Sequence, residues 1–212
     1  MKKFLGSFLL LAFMFTVLLG GQVSAGTNTG TTGSIDLSDL DLTDLKPGDV
    51  IEGDGFQLRQ LSDEQLEKEL GYSLPEEKMS VMAQQCATGS TAFTRGLTTD
   101  GPTSYRPVVN IYTELCLNDD NQYVIESIQS INIDATDGGV VKGVSGNTEA
   151  SALNNGKTLF YVVDGYWYNN TTTTTGTTGG FTTPVASATF NASDTTNYFG
   201  YTYQSDNIIL FN

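Results

Sequence analysis

From residue 50 onward the sequence predicts a mainly β fold, a single-domain antiparallel sandwich or barrel with a short helix near the N-terminus. Three observations predict it. Val108 to Leu117 and Tyr123 to Ile133 alternate apolar and polar residues on either side of Asn118-Asp119-Asp120-Asn121, the pattern of a hairpin. Thr, Tyr, Val and Ile fill the candidate strands, while Gly, Asn and Asp fall between them, where turns need residues that tolerate unusual backbone angles. The clearest helix signals are confined to a short stretch after Ser62.

Residues 1–25 read as a secretory signal peptide. Lys2 and Lys3 form a short positive start of bacterial style. Phe4 to Leu19 is apolar apart from Gly6, Ser7 and Thr16. As a helix it spans about 24 Å, marginal for a permanent membrane crossing. Gly20 and Gly21 break it, and Val23-Ser24-Ala25 supplies the small residues read by a signal peptidase, with cleavage expected before Gly26. No cysteine stands at that site to take a lipid. The expectation is an extracellular protein with no stable membrane anchor after cleavage.

Residues 26–49 form an N-terminal arm, and residues 50–212 the β-rich domain. The arm opens with GTNTGTTGS, which has no apolar content and reads as a flexible leader. From Ile35 to Asp49, leucines and aspartates mix without a clean strand or helix period. Such a segment either lays its leucines on the domain or waits for a partner.

Phe56 to Leu61 alternates as a strand. Ser62 then fits a helix N-cap, with Gln65 completing a capping box, Leu61 and Leu66 a hydrophobic staple, and Gly71 a C-terminal cap. From Pro75 the pattern fits a second short helix, with Met79, Met82, Ala83 and Cys86 on one face, or else a strand carrying Met79, Val81 and Ala83. Beyond the hairpin, Asp137-Gly138-Gly139 reads as a turn, Leu159 to Val163 as a central strand, and Asp164-Gly165 as a hairpin turn. Residues 169–180, rich in threonine, read as an exposed tip or loop. Ala188–Asn191, Tyr198–Gln204 and Ile208–Phe211 read as three last strands, with a turn at Asp206-Asn207.

The net charge of −14 repels nucleic-acid phosphates and anionic membranes. There is no histidine, which excludes Ser-His-Asp and Cys-His catalysis and His-ligated metal sites. Cys86 and Cys116 are expected to pair as a disulfide, because an exported chain meets an oxidising compartment. Neither has a cationic neighbour within five residues to activate a thiol.

Positive signals are few. Glu114 and Glu126, on the two arms of the hairpin, are the candidate pair for carboxylate hydrolysis. Asp119 and Asp120 offer oxygen ligands for calcium, and the same turn suits Asx hydrogen bonding. Tyr166 and Tyr168 share a strand face and are the candidate ligand-binding pair for a sugar, while Trp167 between them points to the core. The leading expectation is a secreted, non-enzymatic surface or matrix protein with no cofactor. Its partners would be itself, another extracellular protein or a glycan, with the arm and the Thr-rich tip as contact elements. A carbohydrate-binding protein and a small hydrolase are the alternatives.

Overall fold

Alternating β-branched and aromatic side chains arrange most of the chain into two sheets that pack face to face. A computed structural model describes residues 31–40, 42, 45–53, 55–73, 86–87, 89–101, 105–178 and 183–211. The larger sheet runs in the order β1 (Thr31–Asp36), β12 (Tyr198–Ile209), β9 (Thr158–Asn169), β8 (Val140–Leu153), β11 (Val185–Ala192) and β10 (Thr173–Thr178). A two-residue strand, β7 (Thr136–Asp137), pairs with the start of β8. The smaller sheet is a meander of β2 (Val50–Gly53), β3 (Phe56–Leu61), β4 (Ser90–Gly96), β5 (Val108–Leu117) and β6 (Tyr123–Asp134). Its strand pairs, and those of the larger sheet apart from β1–β12, are antiparallel; β1 runs parallel to β12. The result is a mainly β sandwich with one short helix among the described residues.

That helix, α1 (Asp63–Leu70), begins and ends where its local chemistry dictates. The Ser62 side chain accepts from the Gln65 amide, and Gln65 Oε1 accepts from the Ser62 amide at 2.8 Å. Gly71 takes the left-handed conformation that closes the last turn. Leu66 packs with Leu61, Ala92 and Tyr112 on the outer face of the smaller sheet, in a cluster separate from the core.

The core lies between the sheets. Val109, Ile111 and Leu115 of β5 point into it, while Tyr112 faces the helix, as strand alternation requires. Its partner β6 keeps Ile125, Ile128, Ile131 and Ile133 in the same core. The spacing of three, three and two is not a strand period. Pairing with β5 skips Gln129 and Glu126, so two bulges reset which residues face inward.

Leu37 and Leu42 of the arm are buried in the same core as the strands that follow, with Ile35, Leu40 and Leu45 packed against it. The last four residues of the leader sequence, Thr31 to Ser34, lie in β1. Cys86 and Cys116 are joined in a disulfide. The helix or strand expected from Pro75 falls almost wholly on residues outside those described.

Three expected turns and loops are strands. Asp164-Gly165 lies in mid-β9, paired with Tyr203 and Thr202 on one side and with Asn147 and Gly146 on the other. Residues 173–178 of the Thr-rich stretch form β10 at the sheet edge. Asp206-Asn207 does not turn the chain: β12 runs unbroken to Ile209, so two strands close the fold where three were expected. Asp206 is fully buried, and Arg95 from the opposite sheet reaches it with Nε at 3.2 Å. A charged residue inside a strand signals a turn unless its partner is known, and this partner is remote in sequence.

Candidate functional site

Three places carry exposed or polar chemistry. The first is the outer face of the larger sheet. Alternation along β9 turns Tyr166 and Tyr168 outward and buries Trp167, whose Nε1 donates to Thr202 Oγ1 at 2.8 Å. Register with β12 sets Tyr201 opposite Tyr166 and Tyr203 opposite Asp164. A bulge at Phe199 brings Tyr198 opposite Tyr168 on the same face. Tyr166, Tyr198 and Tyr203 are 49%, 55% and 43% exposed. The Tyr166 ring centre lies 4.9 Å from that of Tyr201 and 6.4 Å from that of Tyr198, and Tyr168 lies 6.3 Å from Tyr198.

Asp164 is one acidic neighbour of this row, and Asp100, which accepts from the Tyr201 amide, is another. Desolvation pushes the Tyr201 hydroxyl up to about 12, helped by its hydrogen bond to Asp164. The two tyrosines named from the sequence are thus two of five on this face. Tyr198, Tyr201 and Tyr203 were missed because they join it through pairing with a strand some thirty positions on. The three–two spacing of these tyrosines, the mark of a bulge, was the one signal available.

The second place is a groove of about 460 Å³ on the outer face of the smaller sheet, beside the helix. Arg59 holds Glu69 with two hydrogen bonds, at 2.6 and 3.1 Å. Tyr112 donates to Glu69 at 2.9 Å, and Asn110 Oδ1 accepts from Thr94 at 2.6 Å and from Arg59 at 3.4 Å. Burial alone would lower the Arg59 guanidinium, but the Glu69 carboxylate outweighs it and raises it. Arg59 Nε is buried without a hydrogen-bond partner among the described residues, and the remaining groups bond one another in a network that ties the helix to the sheet.

The third is the pair of strands bounding the larger sheet. β1 reads TTGSID and β10 reads TTTGTT. Neither contains Lys, Arg or Pro, the residues that usually keep sheet edges from pairing with other chains.

The remaining candidates do not converge. Asp119 and Asp120 are exposed in the turn after β5. Asn118 Oδ1 accepts from the Asp120 and Gln122 amides at 3.0 and 2.9 Å, an Asx turn. Among the described residues no third acidic ligand gathers with them. Glu114 accepts from Ser127 Oγ at 3.2 Å, while Glu126 is the exposed, unpaired bulge residue, so the two carboxylates are out of register. Glu114 also lies close to Cys86 and Cys116, whose sulfurs are spent on the disulfide.

No family model matches the chain, and neither the curated proteins nor the solved structures yield a significant match.

Proposed function

We propose that this is an exported, non-enzymatic β-sandwich protein that assembles with copies of itself at the cell surface or in the extracellular matrix. One observation carries the reading: among the described residues, both edge strands of the larger sheet are uncharged or nearly uncharged Thr/Gly strands that contain no Lys, Arg or Pro. Only Asp36, at the end of β1, bears a charge.

Tracing strand directions across the sheet, β1 and β10 run the same way. A copy translated along the sheet would therefore lay its β1 beside the first copy's β10 in parallel, extending one sheet through both. Such a contact joins two different surfaces and does not close on itself, so it propagates into a filament. Support for export comes from the signal-peptide pattern of residues 1–25, and the disulfide is compatible with an oxidising destination. The bacterial style of the leader points to a bacterial source.

The test is sedimentation of the disulfide-bonded protein over a wide concentration range, with negative-stain imaging, with and without calcium. Concentration-dependent growth of filaments is expected. Thr175 stands opposite buried Phe190, so Thr175→Lys places an inward charge on the β10 edge and should stop growth without unfolding the domain. Wild type that stays monomeric throughout, or Thr175→Lys that assembles equally well, would overturn the reading.

A further inference from the structure

The outer face of the larger sheet has chemistry that assembly through its edges does not use. Across β12 and β9 lie Tyr198, Tyr168, Tyr201, Tyr166 and Tyr203, with Asp164 among them. Continuing across the sheet, the residue beside Tyr166 is Ser145 and the residue beside Asp164 is Asn147. A row of phenol rings therefore borders a field of small hydrogen-bonding groups. Lys142 is the one basic residue in β8, β9, β11 and β12. It is buried, with Nζ 3.6 Å from the Phe199 ring centre and bonded to Asn169 at 2.6 Å.

We propose that this face binds a neutral polysaccharide, stacking its pyranose rings on the tyrosines and accepting its hydroxyls at Asp164. Phenol rings pack on the apolar faces of sugars while their hydroxyls stay wet. A carboxylate without a cation beside it accepts hydroxyl hydrogens and repels uronic acids, sulfated sugars and anionic lipid alike.

The shape of the row argues against another protein as occupant. From Tyr198 to Tyr203 it is about 17 Å long and roughly two strands, about 10 Å, wide. A stable protein interface takes about 800 Å² from each partner, several times that footprint. The ring tilts refine the ligand. Tyr166 is inclined by 43° to Tyr201 and by 54° to Tyr198, so these rings cannot all lie flat on one crystal face. A single twisted chain is the fitting ligand, and crystalline polysaccharide is not.

Native affinity electrophoresis of the disulfide-bonded protein tests this, with hydroxyethyl cellulose, soluble starch or laminarin cast in the gel and alginate as the anionic control. At least one neutral polymer should retard the protein, and alginate should not. Tyr166→Ala and Tyr201→Ala should each weaken that retardation by about tenfold. Tyr166→Phe keeps the ring and should bind as wild type does. Tyr72→Ala, an exposed tyrosine beside the helix, should change nothing. Failure of all three neutral polymers, or Tyr→Ala variants that retain full retardation while folded by circular dichroism, would overturn the proposal. Should either Ala variant melt, Tyr203→Ala at the end of the row supplies the same comparison. The gel reads dilute protein, so the outcome is independent of assembly.

Discussion

Gly33 in β1 lies directly against the buried carboxylate of Asp206 in β12. The two are register partners, and a Cβ on Gly33 would collide with Asp206 Oδ1. Asp206 Oδ2 is fully engaged: it accepts from Tyr161 at 2.6 Å, Gln204 at 3.1 Å and Arg95 at 3.2 Å. Oδ1 has no hydrogen-bond partner among the described residues. The arm strand is therefore fitted over a carboxylate that links the two sheets.

The first prediction follows from that fit. Gly33→Ala must push β1 away from β12 or displace the carboxylate. Overpacking of this kind costs about 1–3 kcal/mol. Urea unfolding should register that loss, and amide exchange should quicken in β1 while β5 and β6 keep their protection. Unchanged exchange in β1 would refute the close approach.

The disulfide gives a second. Cys86 and Cys116 close a loop of 30 positions, worth about 3–4 kcal/mol in the chain-entropy account. The Cys86→Ser, Cys116→Ser double variant should unfold at correspondingly lower urea. Its far-ultraviolet circular dichroism should keep the sheet signature, because the core between the sheets does not involve the bridge. Equal stability of the double variant would mean the bridge constrains little.

Alkaline pH gives a third. Desolvation raises the hydroxyls of Tyr105, Tyr112, Tyr161, Tyr198 and Tyr201 above their ordinary value, Tyr201 to about 12. An unfolded chain loses these protons near pH 10. The stability they contribute is whole below that pH and is lost as pH climbs through the folded values. Lys142 acts in the opposite sense, since burial lowers it and its contribution rises with pH up to its ordinary value of 10.5. One lysine does not offset five phenols. The urea midpoint should therefore fall above about pH 10, with phenolate absorbance rising in step with unfolding. A midpoint that stays level to pH 12 would contradict the burial of Tyr105, Tyr112 and Tyr161.

What the sequence made legible was what it encodes locally. Ser62, Gln65 and Gly71 lie within ten positions of one another, so the start and stop of the helix they cap could be read directly. The β5–β6 hairpin was readable from alternation and its turn. The errors share a cause. Asp206 looks like a turn residue until Arg95 is brought to it from the other sheet. Asp164-Gly165 looks like a hairpin turn until strands on both sides are known. The Thr-rich stretch has no alternation to mark β10, because an edge strand need bury little. The same distinction runs through the candidate binding face: Tyr166 and Tyr168 follow from strand period alone, whereas their companions depend on register.

Trp167, the chain's single tryptophan, is sealed in the core directly beneath the row of tyrosines. Its indole is dry, and its two sequence neighbours stand on the opposite, wet face. The molecule thus carries its own optical gauge. Light absorbed by the outer phenols can pass to one indole a sheet's thickness away, and its emission reports whether that sheet is intact or something rests on it, with no label attached.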